Sequence, residues 1–138
     1  MVDALREARR VLKPRAVLIN LQPLTMPLIV EVTIAMRPVW AKDVPSYSAP
    51  EDVAAAEAAV QQALTDDWFA LEKKVSYHLD IYCDTAADLS AYAQNRKLPE
   101  SEIPYEELEG QRMKLCADGE TVRLRCRRPW MLSVYRKR

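Results

Sequence analysis

Residues 3–19 read Asp-Ala-Leu-Arg-Glu-Ala-Arg-Arg-Val-Leu-Lys-Pro-Arg-Ala-Val-Leu-Ile, and this stretch is the most informative about the fold class. Apolar side chains recur at helical spacing over residues 4–12, while arginines and a glutamate occupy the opposite face. Pro14 cannot continue a helix. Residues 16–22 are then nearly continuous in apolar character, which is typical of a strand covered on both faces. The stretch therefore predicts a short amphipathic helix that leads directly into a buried strand.

Hydrophobic periodicity and turn residues predict the remaining elements. In chain order they are a strand at 28–36, a loop over 37–50 with a short return strand at Val39-Trp40, a helix at 51–66 that begins in the Ser48-Ala49-Pro50-Glu51 region, a strand at 72–83, a helix capped by Asp84-Thr85, a helix opened by Pro104 that ends near Asp118-Gly119, and a strand at 121–136. Apolar residues keep one parity across 121–136, which favours one long strand over a hairpin.

Length and charge limit the classes of protein that this chain represents. A chain of 138 residues is enough for one compact core, so we expect residues 1–138 to form a single domain. The 20 basic and 20 acidic side chains balance, which does not favour a nucleic-acid or membrane partner. No segment reaches the roughly 18 consecutive apolar residues of a membrane helix. We therefore expect a cytoplasmic protein.

Cysteine, histidine and glycine are too sparse for several common sites. Cys83, Cys116 and Cys126 form no C-x-x-C pair, and the chain has a single histidine, so neither a zinc site nor a disulfide framework is expected. Gly110 and Gly119 are the only glycines. Dinucleotide and phosphate sites need glycine-rich turns that let the ligand approach the backbone. The sequence therefore predicts no metal site and no nucleotide-type cofactor site.

Two motifs carry a resemblance to a known family. Arg-Glu-Ala-Arg-Arg-Val-Leu-Lys-Pro at 6–14, followed by an apolar strand, and Leu-Ser-Val-Tyr-Arg-Lys at 132–137 resemble the C-terminal half of class I S-adenosylmethionine-dependent methyltransferases of the type 11-like group. In those enzymes the first motif precedes the fifth strand, which is followed by a crossover and two further strands, the last inserted antiparallel. The resemblance implies an α/β fold with a partial Rossmann-like sheet, mixed with antiparallel strands and flanked by helices.

The resemblance also carries an expectation about activity. Arg15-Ala16 replaces the usual Gly-Gly, and the half that binds the cofactor in such enzymes has no counterpart here. We therefore expect a methyltransferase-like remnant or split subunit that serves as a substrate-pocket or assembly module and is not catalytic alone. S-adenosylmethionine would be bound only if another chain completed the fold. The expected partners are a second copy, in a homodimer, or a complementing methyltransferase N-terminal half.

A different class of function is an alternative to the methyltransferase remnant. The chain would then be a stand-alone ligand-binding or dimerisation protein of non-enzymatic function. Its cavity would be lined by residues from 28–47 and 72–92 and would accept a small apolar ligand.

Few side chains offer chemistry. His78 and Asp80 share one side of the predicted 72–83 strand, as a weak candidate for a base and the carboxylate that orients it. Cys83 precedes a helix, a position that can lower the pKa of a thiol, although Asp84 opposes that effect. Four aromatic residues are candidates for a substrate-binding wall: Trp40, Tyr77, Tyr82 and Tyr92.

Alternate arginines mark the start of the last predicted strand. Arg123, Arg125 and Arg127 lie on one side of it, followed by Arg128. The simpler interpretation is a solvated strand face, and the alternative is recognition of an acidic ligand.

Overall fold

The computed structural model describes residues 2–45, 50–116 and 121–138, which form four helices and five strands. The elements are α1 (Val2–Val11), β1 (Val17–Pro23), β2 (Leu28–Ile34), β3 (Arg37–Val44), α2 (Pro50–Thr65), β4 (Phe69–Cys83), α3 (Ala86–Asn95), a 3-10 turn (Glu100–Glu102), α4 (Tyr105–Cys116) and β5 (Val122–Lys137). Contacts divide these residues into two compact units. Unit 1 contains the described parts of residues 1–25, 48–77 and 130–138, and unit 2 contains those of 26–47 and 78–129.

In unit 1 the last strand lies between two others. The backbone N–H of Lys137 donates to the carbonyl of Ala16 at 2.9 Å, and that of Arg138 donates to the carbonyl of Trp68 at 3.2 Å. Neighbouring amides of an extended chain point to opposite sides, so β5 has β1 on one edge and β4 on the other.

Both neighbours of β5 in unit 1 run antiparallel to it. Val17 of β1 lies opposite Arg136, and Pro23 opposite Trp130. Towards β4, Asp67 forms an ion pair with Arg138 and Glu72 with Arg136, so residue numbers rise on one strand as they fall on the other. Because β1 and β4 both oppose β5, they point in the same direction. The chain between them contains α2, which makes a β-α-β connection with an antiparallel strand inserted.

The helices of unit 1 pack together and cover one face of its strands. Helix α1 contacts α2, whose alanine-rich sequence permits close approach. The core consists of buried Ala63, Phe69 and Tyr135, with Leu5, Leu12, Leu18, Val60, Leu64 and Trp68 packed against them. The apolar stripe of α1 therefore stabilises the unit through tertiary burial, as its sequence pattern predicts.

Strand β1 is apolar on a face that the described residues leave uncovered. Val17, Ile19 and Leu21 are 43%, 60% and 53% exposed, while Leu18 packs on the core of unit 1. The prediction of a strand covered on both faces is therefore wrong. Continuous apolar character indicates a doubly covered strand only when two layers are present, and the helices of unit 1 supply one.

Unit 2 begins with a β-hairpin whose second strand is longer than the short return strand predicted at Val39-Trp40. β2 and β3 pair antiparallel from Leu28 opposite Val44 to Ile34 opposite Arg37. The return strand predicted at Val39-Trp40 lies within β3, but β3 extends over Arg37–Val44, where a loop was otherwise predicted. Residues 46–49, including the proposed helix start at Ser48-Ala49, lie outside the described residues. Pro38 is tolerated because β3 is an edge strand and the register shifts beside it, between Val32 and Thr33.

The other side of β2 joins the hairpin to β5. Ile34 lies opposite Val122 and Ile29 opposite Arg127, again antiparallel. Among the described residues, the buried core of unit 2 contains Leu28, Val30, Val32, Val44, Cys83, Leu89, Ala93, Ile103, Leu108, Val122, Leu124 and Cys126. Helix α4 packs on both α3 and β2.

Helices α3 and α4 begin where the sequence predicts. Thr85 caps α3 in a capping box: Asp88 N–H donates to Thr85 Oγ1 at 3.2 Å, and Thr85 N–H donates to Asp88 Oδ2 at 3.1 Å. Helix α4 begins directly after Pro104. Both predicted starts are confirmed, whereas the predicted end near Asp118-Gly119 lies outside the described residues.

The predicted fold class is confirmed at the coarse level. The protein is α/β, with a five-stranded antiparallel sheet and flanking helices, and β5 is one unbroken strand as its parity predicts. Among the described strands every neighbouring pair is antiparallel, so the mixed sheet that was expected does not occur in them. The inserted β5 is the reason, because it separates β1 from β4. In the described part of the chain no helix is long and apolar enough to span a bilayer.

Candidate ligand-binding site

A buried ion pair lies in the sheet of unit 2. Glu31 of β2 and Arg125 of β5 occupy opposite positions in the strand register. Their side chains are only 6% and 9% exposed, and Arg125 Nε donates to the Glu31 carboxylate. Removing two charges from water is costly unless they are paired and hydrogen-bonded. The register between two strands that are distant in sequence supplies that pairing.

Arg125 makes further contacts that extend this pair. Its Nη1 donates to the hydroxyl of Tyr82 at 3.2 Å and to the backbone carbonyl of Met36 at 3.4 Å. The hydrogen bond to Glu31 raises the pKa of Arg125 above its ordinary value, although burial acts in the opposite direction. Arg125 is therefore a permanent cation that fixes both a tyrosine and a turn.

The Tyr82 ring is flanked by two guanidinium groups. Arg123 Cζ lies 5.4 Å from the ring centroid, and Arg125 Cζ lies 5.8 Å from it. Arg123 Nε also donates to Asp84 Oδ1 at 2.9 Å, in a more exposed ion pair. The two distances from a guanidinium carbon to the ring centroid are in the range of cation–π contacts. Tyr82 is thus held in place by its ring and by its hydroxyl.

The turn of the β2–β3 hairpin has an unfavourable backbone conformation. Ala35 has φ 47° and Met36 has φ 66°, both in the left-handed region that Gly and Asn occupy most readily. Two contacts secure the turn: Ala35 N–H donates to the Thr121 carbonyl at 3.5 Å, and the Met36 carbonyl accepts from Arg125. Such strain persists only where surrounding contacts hold it, and it is frequent at functional sites.

A cavity of about 280 Å³ lies where these features meet. It is lined by Thr33, Ala35, Met36, Tyr82, Thr121 and Arg123. The hydroxyl of Thr33 donates to the Arg123 carbonyl at 3.1 Å, which ties β2 to β5 at the cavity. One aromatic ring and one guanidinium therefore face a small space that is otherwise bounded by methyl, methylene and hydroxyl groups. We name it the Tyr82 cavity.

The four predicted aromatic residues do not form one wall. Tyr82 lines the Tyr82 cavity, whereas Trp40 packs against the core of unit 2. Tyr92 lies on α3, and Tyr77 belongs to unit 1. The cavity does combine residues from 28–47 and 72–92, the two segments in which the sequence analysis looked for one.

His78 and Asp80 are both on β4, but the carboxylate has another partner. Asp80 Oδ1 accepts from Arg127 Nε at 2.9 Å. The structure describes both residues and records no hydrogen bond between them. Within residues 2–45, 50–116 and 121–138, no group of three or more potential ligands has the geometry to hold a metal ion.

Burial acts on two of the cysteines in the same direction. It raises the pKa of the Cys83 thiol, with a further contribution from Asp88. It also raises the pKa of Cys126 to about 11. Both thiols therefore stay protonated at neutral pH, opposite to the lowering that an activated nucleophile needs. All three cysteines are free.

The sequence analysis missed the pair that organises this site. The solvated-face interpretation is wrong for Arg125, because Glu31 faces it across the strand register. A signal was present in the sequence: Glu31 is a single charge within the apolar strand β2, and alternate arginines stand on another strand. An isolated charge in a buried strand needs an opposite charge nearby.

Comparison of the whole chain with known protein families, with curated proteins and with solved structures gives no match.

Proposed function

We propose that this chain is a methyltransferase-like module that is not catalytic alone and that binds a small anionic ligand with an apolar body in the Tyr82 cavity. The observation that carries the proposal is the meeting of Tyr82 and Arg123 over a strained, well-anchored turn. The cavity of about 280 Å³ is at the lower end of the usual size of ligand sites, so the ligand is small.

The chemistry of the lining favours a carboxylate. In the described part of the chain the Arg123 guanidinium donates one hydrogen bond, from Nε to Asp84. A guanidinium has five N–H donors in a planar fork that suits a carboxylate. The Tyr82 ring offers a flat apolar wall for an aromatic or branched body. Asp84 competes with the ligand for Arg123, so binding would be weak while that carboxylate is charged.

Titration of the protein with benzoate, followed by ¹H–¹⁵N NMR, tests this proposal against benzyl alcohol as the neutral isostere. Benzoate should shift amides of the turn at residues 35 and 36 and of β5, and it should bind more tightly than benzyl alcohol. Arg123→Gln should weaken benzoate binding by about five-fold, and Asp84→Asn should strengthen it by a similar factor.

Arg127→Gln is the matched control, because Arg127 pairs with Asp80 and does not line the cavity. Equal binding of benzoate and benzyl alcohol, or an Arg123→Gln protein with unchanged affinity, would contradict the proposal.

The strand arrangement of unit 1 supports the methyltransferase-like part of the proposal. The resemblance implied a strand, a crossover and two strands with the last inserted antiparallel, and unit 1 has β1, α2 and β4 with β5 between the two strands. A partial Rossmann-like origin of this β-α-β connection is proposed on that basis. Calorimetric titration with S-adenosylmethionine should give no heat of binding from the chain alone, and micromolar binding would refute the absence of an independent cofactor site.

An assembly role is a second candidate, favoured by the free edge of β1. Among the described residues β1 pairs with β5 alone, and Val17–Pro23 contains no charged side chain. Natural edge strands are usually protected by charges, by short length or by cover. We propose that two copies pair through β1 in a symmetric antiparallel dimer. A complementing methyltransferase N-terminal half would compete for the same edge.

A further inference from the structure

Unit 1 contains a second and larger cavity, beside α2. Its volume is about 500 Å³, within the usual range for small-molecule sites. The lining residues come from α2, β1, β4 and β5: Gln22, Ala54, Glu57, Ala58, Val60, Gln61, Leu64, Leu71, Lys74, Ser133 and Tyr135. We name it the α2 cleft. No residue that lines it lines the Tyr82 cavity.

Small side chains on α2 explain why this space is open. Ala54, Ala58 and Gln61 line the cleft at helical spacing, so one edge of α2 faces it. Three other alanines of the helix, Ala56, Ala59 and Ala63, are buried. Protein interiors are normally filled to crystal-like density, and a methyl group cannot fill the space beside the sheet. The alanines therefore leave room for a molecule about the size of an amino acid or larger.

The inner side of the cleft combines apolar area with two hydroxyl-bearing residues. Ser133 and Tyr135 of β5 are 2% and 6% exposed and line the cleft. Leu64 of α2 and Leu71 of β4 add aliphatic surface. An apolar ligand body with a few hydrogen-bonding groups suits such a lining.

The charged residues of the cleft have opposite signs and come from different elements. Glu57 lies on α2 and Lys74 on β4, and both are exposed. Within the part of the chain that the structure describes, neither side chain forms a salt bridge. One carboxylate and one ammonium that share a cavity without pairing fit a ligand that carries the complementary two charges.

We propose that the α2 cleft binds a small zwitterion of the apolar amino-acid class. Its ammonium group lies against Glu57, its carboxylate against Lys74, and its aliphatic body against Leu64 and Tyr135. Two opposite charges distinguish this ligand from the anionic ligand of the Tyr82 cavity, so the two sites select different molecules.

NMR titration of the ¹⁵N-labelled protein with leucine tests the proposal. The two probes that each lack one charge are 4-methylpentanoate, which has no ammonium, and isopentylamine, which has no carboxylate. Leucine should shift amides of α2 and of β5 near Ser133, and it should bind about five-fold more tightly than either probe, which corresponds to about 1 kcal/mol for each lost ion pair.

Variants separate the two charges from the fold. Glu57→Gln should remove the preference for leucine over 4-methylpentanoate, and Lys74→Met should remove the preference over isopentylamine. Ala58→Leu should abolish binding by filling the cleft, while leucine at this exposed helix position keeps the helix intact. Glu51→Gln is the matched control, because Glu51 lies on the first turn of α2 and does not line the cleft.

Three results would each overturn one part of the proposal. Leucine that binds no better than both single-charge probes would overturn the zwitterion. Unchanged leucine binding by the Ala58→Leu protein would overturn the location, and the absence of any leucine-induced shift at 20 mM would overturn the site. Benzoate binding in the Tyr82 cavity should be the same in all these variants.

Discussion

The buried pair of Glu31 and Arg125 determines the local order of unit 2. The pair joins β2 and β5, and Arg125 also donates to the Tyr82 hydroxyl of β4 and to the Met36 carbonyl in the turn after β2. A paired buried charge adds little net stability compared with an apolar replacement, but an unpaired one is strongly destabilising. The pair therefore affects stability mainly through the free energy that is lost when one of its two charges is removed.

Removing one partner should show that cost. Arg125→Met leaves the Glu31 carboxylate buried without its cation, and we expect the free energy of unfolding to fall by about 3–5 kcal/mol. The double variant Glu31→Met with Arg125→Met should recover most of this loss, because no buried charge remains. Urea denaturation measures both. A double variant as unstable as the single one would contradict the argument, and the exposed pair provides a control in Arg123→Gln, expected to cost less than about 1 kcal/mol.

The Cys126 thiol links stability to alkaline pH. Burial raises its pKa to about 11, above the value in an unfolded chain. The folded state keeps the proton longer, so as pH rises the unfolded state deprotonates first. Below about pH 8.5 the thiol is protonated in both states and does not lower the free energy of unfolding. Between about pH 8.5 and pH 11 its earlier deprotonation in the unfolded state should lower that free energy by about 2–3 kcal/mol.

The Cys126→Ala protein is the reference for this measurement, because other groups titrate in the same interval. The difference in unfolding free energy between wild type and variant, measured from pH 8 to 11, should change in favour of the variant. A difference that is independent of pH would refute the effect.

The contacts between the residues of this site could not be predicted from the sequence, because they join distant strands. The alternation of Arg123, Arg125 and Arg127 places them on one face of the strand, but it does not say which side chains lie beside them. The partner of Arg125 is Glu31 of β2, which is 94 positions away in the sequence. Tyr82 could be nominated from its aromatic character alone, whereas the positive φ values at residues 35 and 36 have no sequence signal, since neither residue is Gly or Asn.

At the level of elements, sequence patterns within a few residues predict helices and strands well, but they do not predict the place of each strand in the sheet. Spacing and side-chain chemistry within a few residues predict the amphipathic helix α1, which ends at Val11 before Pro14, the helix cap at Thr85 and the continuous β5. Only Val39-Trp40 of β3 was predicted as a strand, because Pro38 and Pro45 suggest a loop, although an edge strand tolerates proline. The exposure of β1 was missed because the number of layers over a sheet is a tertiary property.

The hairpin turn should accept a more favourable sequence. Ala35→Asn with Met36→Gly places at both positions the residues that a two-residue turn with positive φ prefers. We expect the free energy of unfolding to rise by about 1 kcal/mol, measured by thermal or urea unfolding. The matched control is Thr25→Asn with Met26→Gly in the β1–β2 connection, where φ is not positive, and no gain is expected there. A gain at the control alone would contradict the role of backbone strain.

At the scale of the whole chain, two strands contribute to both compact units. β4 and β5 each have one part in unit 1 and another in unit 2. Each unit has its own buried cluster and its own cavity. A ligand that binds in one unit is therefore expected to leave the amide signals of the other cavity's lining residues unchanged.

The free edge of β1 gives the last prediction, on association. Ile19 and Leu21 are exposed on a strand without charges, and its far edge has backbone donors and acceptors that no described residue uses. Antiparallel pairing of β1 with its copy would satisfy those groups and give both side chains apolar cross-strand neighbours. Light scattering after size exclusion should therefore give a dimer mass that decreases on dilution. Ile19→Lys should shift the equilibrium to monomer, since a charge at an edge opposes strand addition, whereas Val39→Lys on the edge strand of unit 2 should leave the mass unchanged. A wild-type monomer at 100 µM, or equal loss of dimer in both variants, would exclude β1 as the interface.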